Sequence, residues 1–158
     1  MYTYLVLKTL HIFGAMLFLG TGFGSAWYRL RADFSDDARI ITWVQQEIVR
    51  ADWYFTVPAG LIMPLTGVGL IHTLHLGWTT PWIVAGFLGY CTAGIFWLPA
   101  VWLQIRMRKL AEEALAGGTK VPTEFHRYAR WWAALGVPSF GASVFTVWVM
   151  VAKHVAIG

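Results

Sequence analysis

Four of the five histidines in this 158-residue chain, His11, His72, His75 and His154, lie within or at the ends of strongly apolar stretches. An imidazole in such a place either ligates a transition metal, for which it suits copper and zinc alike, or hydrogen-bonds between packed helices. His11 carries the most weight, because an ionisable group inside a membrane span has a cost that a partner or a bound ligand must meet. Lys8 lies one turn outward on the same helical face, placed either to pair with an anionic group near the membrane interface or to snorkel to the headgroups. His154 reads first as a solvated helix cap and only second as a ligand, His75 also reads as a group facing the headgroups, and His126, beside Arg127, reads as a surface residue. Other chemistries are excluded. No Ser or Cys has a base at motif spacing, no span carries paired carboxylates, and no glycine-rich phosphate loop occurs. The single cysteine, Cys91, forbids an internal disulfide and any CxxC motif, and its apolar neighbours mark it as a packing residue.

Elements that could hold these side chains follow from composition. A chain with 58% hydrophobic residues, ten Trp and 13% charged residues lies outside the soluble range, which makes it a membrane protein. Four apolar stretches, at about 4–28, 53–76, 82–102 and 131–151, are each long enough to cross a bilayer, and Trp or Tyr marks most of their ends. The expected fold is all-α: a four-helix transmembrane up-down bundle forming a single integral membrane domain over 1–158. Between the first two spans, Ser35-Asp36-Asp37 resembles a helix N-cap. Ile40, Ile41, Val44 and Ile48 then form an apolar face, so a short amphipathic helix is expected there, at the inner surface or as an extension of the bundle. Prolines and glycines in the second and fourth spans predict kinks or close helix contacts.

Ten of the twelve basic residues fall in the connections after the first and third spans. The positive-inside rule makes those connections cytoplasmic and puts both termini on the periplasmic or outer face of a bacterial inner (cytoplasmic) membrane. The first span reads as uncleaved, without a signal peptide. Topology accounts for the net charge of +4, so no nucleic-acid partner is implied; the lipid bilayer is the expected partner, and a homo-oligomer is compatible. In this topology His11, His72, His75 and His154 converge on the outer leaflet from three helices, His11 about 10 Å past Tyr4 and His72 at a similar depth.

The segments LKTLHIFGAMLFLGTGFG (7–24), FTVPAGLIMPLTGVGLI (55–71), FWLPAVWLQIRMRKLA (96–111) and WWAALGVPSFGASVFTVWVMVAK (131–153) resemble a family of predicted integral membrane proteins known only as a domain of unknown function. More distantly, Lys8-Thr9-Leu10-His11 and Phe55 to Ile71 are similar to the first two spans of HemJ-type protoporphyrinogen oxidases, and the CopD membrane domain is a further resemblance. HemJ-type sequences carry a Lys near the start of the third span, where this chain has Trp82 to Gly86 without one. The resemblance implies haem b, ligated axially by His11 with His72 opposite or His154 in reserve. Lys8 would then pair with a propionate, and porphyrin or quinone would be a partner. A flat apolar macrocycle also suits an aromatic-rich helical interior. Three readings therefore stand: a haem-b membrane oxidoreductase or electron carrier acting with quinone or an outer-face donor; a copper- or zinc-handling protein using His11, His72, His75 and His154; and a non-catalytic assembly subunit.

Overall fold

The computed structural model describes residues 1–153; His154 lies outside them. Among the described residues the chain is all-helical. Helix α1 spans Tyr2–Asp33, α2 Ala38–Ala51, α3 Val57–Thr73, α4 Pro81–Ala116 and α5 Thr123–Ala152. A π-helical turn, Asp52–Thr56, joins α2 to α3 without a break, so Ala38–Thr73 is one continuous rod. Among the described residues there are thus four helices long and apolar enough to cross a membrane, connected up-down by short turns. The amphipathic helix is present as α2, in the second of its two expected forms: it extends the second span instead of standing apart on the membrane surface.

The rods are longer than the membrane. At 1.5 Å per residue, the 32 residues of α1 and the 36 of α4 reach about 48 and 54 Å, against a hydrocarbon core of about 30 Å. The surplus collects at the end that carries most of the arginines. There the helices pack like a small soluble bundle: Ile41 and Ile48 of α2, Met107 and Ala111 of α4, and Phe125 of α5 are all buried in one cluster. The α2 face that alternates at helical spacing is the face buried there, and Thr42 reaches α4 from it, its hydroxyl shared between the Ala38 carbonyl at 2.7 Å and the Ala111 carbonyl at 3.0 Å. Asp37 caps α2, its carboxylate accepting from the Arg39 N–H at 2.8 Å. Lys120, from the turn before α5, pairs with Asp36 in the turn before α2 and so joins the two connections at this end.

Elsewhere the bundle packs through small residues and shows large ones to lipid. Phe13, Met16, Leu65, Phe87, Leu98 and Trp148 are exposed, while Gly14, Ala59, Gly86, Gly89 and Ala93 are buried. This inversion is what a lipid solvent allows, since apolar burial between helices gains little there and close backbone approach gains more. It divides the membrane part into two antiparallel pairs, α1 with α3 and α4 with α5. In the second pair Ser139 donates to the Ala93 carbonyl at 2.9 Å.

The prolines act locally. Pro58 and Pro64 have no N–H for the carbonyls four residues earlier, those of Tyr54 and Gly60. Around the first, the ladder slips to a π-turn in which Val57 N–H bonds the Asp52 carbonyl. At the second, the Gly60 carbonyl is claimed from the other pair: Tyr90 of α4 donates its hydroxyl to it at 2.6 Å. Helix α3 stops at Thr73, three residues before the expected end of the span. His75 takes a positive φ of 53°, with its N–H on the His72 carbonyl and the Leu76 N–H on the Ile71 carbonyl. That is a Schellman termination in which histidine occupies the place glycine usually holds.

Candidate functional site

His11 faces α3 from α1. Its Nδ1 lies 3.0 Å from the Met63 carbonyl oxygen and 3.0 Å from Thr66 Oγ1. A carbonyl can only accept, so Nδ1 carries a proton, and the Thr66 hydroxyl spends its own proton on the Ile62 carbonyl at 2.6 Å. In the neutral ring the lone pair therefore sits on Nε2. This is the arrangement by which proteins orient a metal-ligating histidine: one ring nitrogen held by a backbone carbonyl, the other left basic. The sequence places it there, because His11, Gly14 and Phe18 share the α1 face that meets α3, and Gly67 supplies the flat surface against which the ring packs, 3.4 Å from where a Cβ would stand.

The other predicted residues do not gather around it. His72 is exposed and meets Trp78 edge-on, with ring centroids 5.8 Å apart. It lies six residues beyond Thr66, about 9 Å further along α3. Nor does the seam between the two helices admit a macrocycle, since a Cβ on Gly14 would touch Met63 Cγ at 3.1 Å and one on Gly69 would touch Leu7 Cδ1 at 3.0 Å. His11 and His72 therefore do not face each other across a ring. The expected match in depth fails because the antiparallel register sets His11 opposite Met63 to Gly67. His75 is exposed in the turn, where it serves helix termination. Lys8 is exposed, with Nζ 5.5 Å from the Tyr4 ring centroid. His154 lies outside the described residues. Among the described residues no group of three or more His, Cys, Asp or Glu side chains could hold a metal ion.

A second polar locus, not anticipated from the sequence, lies where the two helix pairs part. Asp52, in the π-turn, is 7% exposed and accepts a hydrogen bond from Thr56 Oγ1 at 2.7 Å. Gln104 of α4 is buried alongside. Two cavities of about 290 and 140 Å³ open from this point between the α3 rod and α4, and Val57 and Trp97 line both. The available signal was the pair of prolines: two carbonyls lacking helix donors mark a segment whose ladder must slip or borrow a partner. A third buried group, Arg29 at 4% exposed, pairs with Asp33 at 3.4 Å and lies 4.4 Å from the Trp132 ring centroid, fastening α1 to α5 at the basic end.

Residues 5–154 match the family described as predicted integral membrane protein (DUF2269). The chain belongs to the DUF2269 family. No curated protein and no solved structure gives a match. For this DUF2269 protein, family and architecture agree on a multi-pass integral membrane protein in contact with the bilayer. The resemblance to HemJ-type oxidases and the CopD domain rests on the quoted residues alone.

Proposed function

We propose that this DUF2269 protein binds haem b through His11 and serves as a membrane oxidoreductase or electron carrier, exchanging electrons with quinone or an outer-face donor. One observation carries the reading: His11 is held through Nδ1–H by the Met63 carbonyl, which presents Nε2 as a ligand in a span where an unused imidazole is costly. His11 would hold the iron through Nε2. Lys8, one turn away, would pair with a propionate, and the iron would supply one-electron chemistry when bound. By the positive-inside rule His11 lies toward the outer face of a bacterial inner membrane, with both termini on that side.

The same hydrogen bonds favour a second reading, an assembly subunit in which His11 joins α1 to α3. Absorption spectra of the purified protein, oxidised and dithionite-reduced, separate the two. Haem bands in the parent that are lost in His11→Ala, with the variant still folded and monodisperse, support the haem reading. A parent that stays colourless when haem is supplied during expression, or a His11→Ala protein with an unchanged spectrum, overturns it.

A further inference from the structure

We infer that the cleft between the α3 rod and α4 binds a quinol-type ligand, a flat ring bearing oxygens on an apolar tail, with the ring oxygens meeting Asp52 and Gln104. The cleft exists because the helix pairs α1–α3 and α4–α5 part here, and the Tyr90 hydroxyl on the Gly60 carbonyl spans the gap as a strut. At its deep end the π-turn sets Asp52 inside the bundle, and among the described residues no ion pair includes it. A carboxyl group at such a place in a membrane rod marks a functional site by default, and π-turns recur at such sites.

Chemistry narrows the ligand. The larger cavity, about 290 Å³, is near the lower end of the usual range of roughly 300–1,000 Å³ for small-molecule sites. Its walls are aromatic and aliphatic, with Trp53 at 62% exposure by the mouth, so entry is from the lipid side. Among the described residues no Lys or Arg lines either cavity, so a phosphate head would sit beside Asp52 without a counter-charge. A neutral ring meets no such penalty. One quinol hydroxyl donates to Asp52, the oxygen of the other accepts from the Gln104 amide, and Trp97 offers an aromatic edge or face. The upper cavity reaches Phe18, two turns or about 10 Å along α1 from His11 on the same face. This deepens the proposed function and rests on it for what a bound quinol does, but binding is testable without haem.

The experiment titrates purified His11→Ala protein with ubiquinone-1 and with its quinol, following tryptophan fluorescence, so a colourless parent leaves the result intact. Two changes, each introduced into the His11→Ala protein, probe the cleft. Asp52→Asn removes the charged acceptor. Val101→Trp fills the larger cavity, which Val101 lines together with Asp52 and Gln104. Saturable quenching is expected without a cleft substitution, with quinol affinity at least tenfold lower in Asp52→Asn and saturation lost in Val101→Trp. The inference is overturned by non-saturable partitioning alone, by affinities unchanged in either variant, or by displacement of the quinol by dioleoylphosphatidylglycerol at equal concentration. Should Asp52→Asn not fold, Gln104→Leu takes its place with the same tenfold criterion.

Discussion

Replacing Gly89 by alanine should separate α4 from α5, and the contacts around it set the size of the effect. A Cβ at Gly89 would run into Thr146 Oγ1, and would then meet Phe145 Cδ1 at 3.3 Å and the Ala142 carbonyl oxygen at 3.4 Å. Thr146 has little freedom to retreat: it is β-branched, and its hydroxyl is held by the Ala142 carbonyl at 2.8 Å. Overpacking of this kind costs about 1–3 kcal/mol. Gly86, one turn earlier on the same face, is the control. Its added Cβ would meet the thioether end of Met150, an unbranched side chain that can swing away, so Gly86→Ala should cost less than about 1 kcal/mol. Thr146→Ala removes the obstructing oxygen, and because that hydroxyl bonds only within α5 the single change should be nearly neutral. The double variant Gly89→Ala/Thr146→Ala should then recover most of the loss, a coupling of about 1 kcal/mol or more. Unfolding of each variant by SDS in mixed micelles, followed by circular dichroism, measures all four corners of the cycle. Equal stability of Gly89→Ala and Gly86→Ala, or no recovery in the double variant, would refute the close α4–α5 seam.

Two further outcomes are expected. In a Cys91→Ala background, Thr79→Cys and Thr119→Cys should label oppositely with a membrane-impermeant maleimide on intact cells, Thr79→Cys reacting and Thr119→Cys remaining protected; equal labelling would sink the topology and the outer position of His11. The Asp36 carboxyl is held below the ordinary carboxylate range by the hydrogen bond and charge of Lys120, so its contribution to stability is present above the unfolded value of about 3.9 and is lost as pH falls below it. Lys120→Ala should flatten the pH dependence of the melting temperature in that acidic window and leave it unchanged at pH 7 within error in 1 M salt; an unaltered acid limb would show the latch to be inert.

Several features of this protein were legible in the residues one by one. The four apolar stretches dictate four membrane helices, because a backbone in lipid must satisfy its own hydrogen bonds. Ser35-Asp36-Asp37 could be read as a helix start, although Asp37 and not Ser35 supplies the cap, and Ile41, Val44 and Ile48 of the expected apolar face are buried while Ile40 is exposed, because spacing gives the face but not its edges. His11 stood out because an imidazole among apolar residues needs a reason wherever its helix packs. What spacing could not supply was register between helices. Depth counted from the span ends set His72 level with His11, yet the α1–α3 seam, closed by Gly14, Gly67 and Gly69, puts His11 opposite Met63 and Thr66 and leaves His72 exposed beyond it. The Asp52 cleft was hidden for a related reason. Pro58 and Pro64 announce that two carbonyls lose their helix donors, but only the packing of α4 against the α3 rod decides that one loss becomes a π-turn carrying a buried acid and the other a strut to Tyr90. Periodicity is a property of one helix and survives in the sequence; which side chains meet is a property of two helices, set by small residues that let particular backbones approach and by polar groups that find one another only after they have done so.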